Sequence, residues 1–447
     1  MSEKEPIGVI GAGWVGLVTA ACFAEVGHRV VVREIVPEKV ESLRRGEVPI
    51  HEPQLPELIS RNSERLLFTT EMDELLDGPR LIFVCVQTPP TYSGDADLSA
   101  VHRAVEEIGE PDGRALVMKS TVPVGTGRAI RREAPGLAYV SCPEFLKEGT
   151  AVKDFLEPDR VVIGAEADDE WAADAVEDLY RPLGAPVVRT DLSSAEMIKL
   201  ASNAYLATKI SFINEIANVC DEVGADVTEV ARGMGLDPRI GSRFLNAGLG
   251  FGGSCFPKDT QALKILAGNS GYHFQLLNSV IEVNDLQKRR VMAKISKHLD
   301  SLVGKRVALL GLAFKPDTDD MREASSLVLA ARLSGEGASV VAFDPVAQEP
   351  ARALLPGVEM AGSTMEALEG ADAAVLVTEW PEFAELDWAD VAKRMSKPLL
   401  VDGRNFLDPA AVRDTGITYE AIGRPSAGDR RAVVRVAPGS EAADAER

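Results

Sequence analysis

The sequence predicts an α/β protein built from two doubly wound domains with parallel sheets, joined by a long central helix and a helical region. Three observations predict it. The chain opens on IGVIGAGWVGLVTAACFAEVGHRVVVREI, an apolar strand, a glycine turn, a helix and a second strand. Such alternation makes right-handed βαβ units and a parallel sheet. Residues 193–223, SSAEMIKLASNAYLATKISFINEIANVCDEV, then run without Gly or Pro at helical period. The opening pattern returns late in the chain: TTEMDELLDGPRLIFVCVQTP (69–89) has a counterpart in GSTMEALEGADAAVLVTEWP (362–381).

Taken in order, the first block places further strands at LIFVCVQT (81–88), ALVMKST (115–121) and RVVIGA (160–165). The helix after it opens on a Ser with Glu196 close behind, which reads as a capping arrangement. More short helices follow to about residue 300, with little strand signal. GKRVALLGLAFKP (304–316) starts a new strand and loop. The expected organisation is a first domain over 1–192, a helical region over 193–302 and a second domain over 303–425. The remainder, 426–447, rich in Ala, Arg, Asp and Glu, reads as a flexible tail.

The totals bound the function. At 447 residues, two or three domains are expected. The balance of 48 basic against 69 acidic residues gives −21. Such a surface repels nucleic acid and anionic lipid, so an anionic substrate needs a local pocket of cations. No run approaches the roughly 18 apolar residues of a membrane span. The start lacks the apolar core of a signal peptide, so a cytoplasmic location is expected. Five cysteines (Cys22, Cys85, Cys142, Cys220, Cys255) stand apart with no CxxC pair, and five histidines form no ligand-spaced cluster. Free thiols, no disulfide frame and no metal site are expected.

Gly11-Ala12-Gly13-Trp14-Val15-Gly16 is a GxGxxG between strand and helix, the dinucleotide fingerprint of a Rossmann domain. Gly11 serves the tight turn, Gly13 the close approach to a pyrophosphate and Gly16 the helix–strand packing. Glu34 ends the second strand where a ribose-binding acid belongs, which favours NAD; Arg33 beside it is a residue that can accept the 2′-phosphate of NADP. Ligands of such sheets lie beyond the carboxyl ends of the strands. That makes Thr88 and Thr121 candidates for contacting the cofactor. Glu144 and Glu148 stand four apart, as do Lys199 and Asn203, a spacing that shares one face of a helix. Solvated surface charges would show the same spacing. In GFGGSCFPKD (250–259), three glycines and a serine lead to Cys255, with Lys258 and Asp259 close behind. A structural cysteine needs no such setting.

STVPVGT (120–126), PEFLKEGTA (143–151), AEMIKLASNAYLATKISFINE (195–215), GFGGSCFPKD (250–259), GLAFKPDTDDMRE (311–323) and VTEWPEF (377–383) occur together and in order. This set, over about residues 6–425, resembles the UDP-glucose 6-dehydrogenase family. The resemblance implies two Rossmann-like domains, the first for NAD and the second for the nucleotide sugar, with a helical dimerisation region between them. It implies oxidation of a primary alcohol twice, to aldehyde and then acid, with Cys255 carrying a thiohemiacetal and then a thioester. Lys199 and Asn203 would stabilise oxyanions, Asp259 would activate water, Glu144 would be the base and Thr121 would position a water. Val15, Glu148, Lys258 and Arg322 would join the glycines, Glu34, Thr88 and Thr121 around NAD, and Lys258 would lower the thiol pKa.

The resemblance further assigns Phe145, Leu146, Lys147, Glu148, Lys199, Asn203, Phe251, Gly252, Phe314, Lys315 and Arg404 to the nucleotide sugar. Arg239 would reach it from the neighbouring subunit of a homodimer or higher homo-oligomer. Cys142 replaces the Asn that many relatives have before PEF, and Asn246 stands where several have Lys. UDP-glucose is the expected substrate; GDP-mannose and UDP-N-acetylhexosamines are the alternatives with the same mechanism. A non-enzymatic NAD sensor would have shed the site residues, and all are present.

Overall fold

The computed structural model describes residues 4–109 and 111–426, so of the expected tail only residue 426 falls within it. Among the described residues, fourteen strands form two sheets. The first contains β1 (Ile7–Ile10), β2 (Val30–Arg33), β3 (Leu66–Thr69), β4 (Leu81–Val84), β5 (Ala115–Met118), β6 (Ala138–Ser141), β7 (Val161–Gly164) and β8 (Val187–Thr190), in the order β3-β2-β1-β4-β5-β6-β7-β8. The second contains β9 (Arg306–Leu310), β10 (Ser339–Phe343), β11 (Glu359–Met360), β12 (Ala373–Leu376), β13 (Leu399–Asp402) and β14 (Thr418–Ala421), ordered β11-β10-β9-β12-β13-β14. Both therefore carry the 3-2-1-4-5-6 winding of a dinucleotide fold. Pairing is parallel throughout except that β6 meets β7 antiparallel at Ser141 and Gly164.

The strands are buried on both faces, and successive side chains feed two cores. Val30, Val32, Leu81, Phe83, Ala115 and Val117 pack into one cluster, while Val31, Ile82, Val84, Leu116 and Met118 pack into the other. This is why those stretches read as continuous apolar runs. The strands stop sooner than their sequence suggests: β4 ends at Val84 and β5 at Met118, so QTPP and STVP are loops. Sequence reading also misses β3, β6 and β8, each only four residues long.

The chain divides into two compact units. Of the described residues, one unit comprises 4–109, 111–207, 252–279 and 315–322; the other comprises 208–251, 280–314 and 323–426. The helix Leu192–Val223 runs through the boundary. Its start is held by Asp191, whose carboxylate accepts from Ser194 N (3.1 Å) and Ser194 Oγ (2.6 Å). The expected capping role of Glu196 is not seen. That buried carboxylate instead accepts from Gly125 N (2.6 Å) and Gly127 N (2.8 Å), at the start of the neighbouring helix Thr126–Glu133. Tertiary packing offered it unsatisfied N–H groups that its own first turn did not need.

The repeat seen in sequence extends to the turns. Gly11 (φ +98°) and Gly311 (φ +87°) occupy matching turns after β1 and β9. Glu34, after β2, accepts from Ala12 N (3.1 Å); Asp344, after β10, accepts from Leu312 N (2.6 Å) and Ala313 N (3.1 Å). The helices Met72–Leu76 and Thr364–Leu368, each followed by the strand beside the first, complete the match.

Candidate active site

The glycine turn of the first unit fits a dinucleotide. A Cβ on Gly11 would lie 2.7 Å from Cys85 O, and one on Gly16 would lie 1.9 Å from Gly11 O, so the protein's own packing requires both. Gly13 differs: a Cβ there would meet nothing within 4 Å. Its glycine serves something that must approach from outside. The helix Trp14–Val26 begins at Gly13 with no side-chain cap, leaving N–H groups that an anion could accept. Glu34 lies against this turn through Ala12 N, with Lys39 Nζ 3.3 Å from its carboxylate. Arg33 points to other partners. Its guanidinium takes Glu107 in a fork (2.5 and 3.2 Å) and donates to Thr70 O (3.2 Å), which withdraws it from a cofactor phosphate.

Thr88, Thr121 and Glu144 follow β4, β5 and β6, beyond the carboxyl ends of the strands. Thr88 Oγ1 donates to Thr121 O (2.9 Å), tying two of these loops together. Glu144 and Lys199 form a buried ion pair at 2.7 Å, with side chains only 6% and 4% exposed. The other Glu144 oxygen accepts from Leu146 N (2.6 Å). Burial opposes charge on Glu144, but the Lys199 ammonium outweighs it and holds the carboxyl below its usual range. Lys199 is correspondingly raised: burial disfavours its charge, and Glu144, then Asp259 and Cys255, restore it.

One helical turn along, Asn203 Nδ2 donates to Asp259 Oδ2 (2.6 Å). Asp259 is 1% exposed, and the Lys258 ammonium lies 2.8 Å from Oδ1 as an ion pair, at an angle that makes no hydrogen bond. The spacing of Lys199 and Asn203 on one helix face therefore presents two polar groups to the segment carrying Cys255.

Cys255 occupies the position just before the helix Phe256–Asn269 and is the only cysteine of the five that reaches solvent. Its carbonyl accepts from Asp259 N (2.8 Å), and Ser254 Oγ lies 3.6 Å from Sγ. The thiol surface is open to a reactant while its surroundings are crowded with protein. Burial therefore pushes the thiol pKa up, Glu144 adds to that, and Lys199 pulls it down. Lys258 is paired with Asp259, and Lys199 is the cation that draws the thiol down. The helix N-terminus adds a favourable field for a thiolate. Cys22, Cys85, Cys142 and Cys220 are buried. Cys142 lies 3.9 Å from Lys119 Nζ and 4.0 Å from Tyr180 OH, a setting that shields it from reagents.

The PEFLKE loop leads to a second cluster. Glu148 is raised to about 7, first by burial and then by the Asp320 charge; Arg322, Lys315 and a bond from Thr318 act against this. Thr318 Oγ1 donates to its carboxylate (3.1 Å), Arg322 lies 3.6 Å away, and Lys315 Nζ donates to its carbonyl (2.6 Å). Phe145 carries the Arg160 guanidinium 3.6 Å from its ring centroid, with Lys199 Nζ at 5.5 Å. Leu146 contributes its N–H to Glu144, whereas the Lys147 side chain is exposed and pairs with Asp154 (3.1 Å). Gly252 and Val15 lie on the segments that carry Cys255 and the glycine turn.

The second unit holds the remaining candidates. Arg404 donates to Val377 O (2.7 Å) and Phe314 O (2.9 Å), approaches Gly250 O (3.5 Å) and faces Glu379 at 3.2 Å. Phe251 N donates to Asn284 Oδ1 (2.7 Å), and a Cβ on Gly250 would lie 2.4 Å from that oxygen. Arg239 is 87% exposed and forked onto Asp237 in its own loop. Sequence reasoning missed Glu52, Lys119 and Arg160. An acid between prolines, a lysine at a strand end and an arginine before a strand carry no periodic signal.

Residues 5–184 match the NAD binding domain of the UDP-glucose/GDP-mannose dehydrogenase family, 193–286 its central domain and 308–409 its UDP binding domain. The chain is 45% identical to the UDP-glucose 6-dehydrogenase TuaD of Bacillus subtilis, covering 94% of this chain and 93% of that one. It is also 45% identical to the UDP-glucose 6-dehydrogenase AglM of Haloferax volcanii, over 93% and 99%. A solved UDP-glucose dehydrogenase from Pyrobaculum islandicum superposes with a TM-score of 0.87 at 38% identity, covering 95% of this chain and 99% of that structure. The chain belongs to the UDP-glucose/GDP-mannose dehydrogenase family.

Proposed function

We propose that the protein oxidises UDP-glucose to UDP-glucuronate with two NAD per turnover. The observation that carries the reading is the accessible Cys255 at a helix start, flanked by the Lys199–Glu144 and Asn203–Asp259 pairs. NAD, when bound at the glycine turn, accepts one hydride in each oxidation. Glu144, ionised beside Lys199, takes the proton of the 6-hydroxyl, directly or through a water positioned by Thr121, as hydride leaves C6 and the aldehyde forms. Cys255 Sγ, as thiolate, adds to the aldehyde carbon, and Lys199 and Asn203 hold the resulting oxyanion. An aldehyde is a poor hydride donor, and this thiohemiacetal is a good one. Its second hydride loss leaves a thioester on Sγ. Asp259 accepts a proton from a water as the water oxygen bonds to the thioester carbon; the C–S bond then breaks, and the acid departs with the thiolate restored.

The cations Lys315, Arg404 and Arg239 would hold the nucleotide sugar, the last from the partner subunit of a homodimer. Support for the homodimer comes from the helix Leu192–Val223, where Tyr205, Phe212, Val219 and Val223 form one exposed apolar stripe. The test is NADH formed from limiting UDP-glucose, beside GDP-mannose and UDP-N-acetylhexosamines. Two NADH per UDP-glucose is the expected result. One would remove Cys255 from the reaction, and two from another sugar nucleotide alone would move the substrate.

A further inference from the structure

The three donors on one buried acid point to a role for Glu52, which sits in the loop PIHEP, nearly a hundred residues before the Glu148 loop that it binds. Glu52 is 2% exposed. Its Oε2 accepts from Trp14 Nε1 (2.9 Å) and Gly149 N (2.8 Å), and its Oε1 accepts from Ala151 N (2.8 Å). Trp14 is the first residue of the helix behind Gly13, inside the dinucleotide turn. Gly149 follows Glu148 directly, at φ +84°, and Ala151, two residues on, begins the helix Ala151–Leu156.

The same peptide group is gripped from its other side. Its N–H, on Gly149, goes to Glu52, while its C=O, on Glu148, accepts from Lys315 Nζ (2.6 Å). A peptide is planar, so fixing both ends fixes the direction in which Glu148 leaves the backbone and the point to which Lys315 is drawn. The Glu52 charge also acts on the Lys315 ammonium, after burial and Glu148. One carboxylate thus connects the cofactor turn, the loop of Glu144 and Glu148, and a lysine proposed for the sugar nucleotide.

We propose that Glu52 is a positioning residue that couples binding at the dinucleotide turn to binding of the sugar nucleotide. It touches neither ligand; it sets the Trp14 turn and the Glu148–Gly149 peptide in one register, so a ligand that orders one loop prepares the other. This rests on the proposed function for the identity of the second ligand. A buried, triply bonded carboxylate is the right group for the task, because its charge shortens and strengthens all three bonds at once.

The test is the linkage between the two ligands in the full-length protein. Calorimetry gives the Kd of UDP-glucose with and without saturating NADH for wild type, Glu52→Gln and Trp14→Phe. In wild type each ligand is expected to tighten the other by about five- to tenfold, equal in both directions. Glu52→Gln keeps the size and one acceptor. It should bring that factor close to one and raise both KM values more than it lowers kcat. Trp14→Phe removes only the turn's bond to Glu52 and should also weaken the coupling, with the fold intact by circular dichroism. Full coupling retained in both variants overturns the proposal, as does a loss confined to thermal stability. Should wild type itself bind NADH but not UDP-glucose, the substrate reading fails instead, and the same pair of measurements with the sugar nucleotide that does bind decides the role of Glu52.

Discussion

Replacing Lys199 by Met should reveal how far the active site depends on one buried charge pair. The two charges lie 2.7 Å apart on side chains 4% and 6% exposed. Removing one partner of a buried pair costs about 3–5 kcal/mol, because the other charge stays behind without compensation. Glu144 keeps the Leu146 N–H, so the lower end, about 3 kcal/mol, is expected for Lys199→Met. Adding Glu144→Gln removes the stranded charge and should return about 1–3 kcal/mol. The assay is urea unfolding of the single and double variants, read as midpoint shifts.

The pH dependence has a definite sign. In wild type the Glu144 pKa is depressed from 4.5, so its contribution is present above about 4.5 and is lost as pH falls through the folded value. In Lys199→Met, burial acts without the ammonium and the carboxyl pKa rises, so a penalty grows as pH climbs above 4.5. The deficit of the variant is therefore largest near neutrality and narrows towards pH 4. A single variant as stable as wild type, a double variant no better than the single, or a deficit that widens in acid would each refute this reasoning.

Four further outcomes are expected. Cys255→Ser should abolish acid formation and shift stability by no more than about 0.5 kcal/mol, since the thiol is exposed; retained acid production, measured by product chromatography, would rule out a covalent intermediate. Glu148 has a folded pKa of about 7 against an unfolded 4.5, so wild type should lose stability relative to Glu148→Gln as pH rises from 4.5 to 7, and the deficit should stay constant above that. Denaturation midpoints across that range check the sign. Glu107→Ala should release Arg33 and raise kcat/KM for NADP by about tenfold relative to NAD, since one charged contact is worth about that factor. Unchanged cofactor preference would mean that Arg33 does not face the 2′ position. Phe212→Glu on the exposed stripe of the long helix should shift sedimentation to the monomer; an unchanged dimer would place the interface elsewhere.

The fold was legible because its signals are local. Gly11 and Gly16 are required by atoms of their own turn and of the adjacent strand end, and the apolar runs are strands covered on both faces. Much of the candidate site was legible for a similar reason: Glu144 with Glu148, Lys199 with Asn203, and Cys255 with Asp259 each travel within a few residues of one another. The partners that set their chemistry were not. Lys258, three residues from Cys255, meets Asp259, while Lys199, 56 positions away, draws the thiol down. Glu196 looked like a cap for its own helix and serves another. Arg33 looked available to a phosphate and is taken by Glu107.

By itself the sequence determined the α/β class, the winding repeated in two sheets and the dinucleotide turn, and it named the residues of the candidate site. Backbone propensity, apolar periodicity and motif spacing act over a few residues and survive in a linear text. Only the tertiary structure decided which charges meet, which thiol reaches solvent and which buried acid joins loops nearly a hundred residues apart. Those outcomes depend on distances across the fold, where burial strengthens a 2.7 Å pair and leaves any unpartnered charge at a penalty of several kcal/mol.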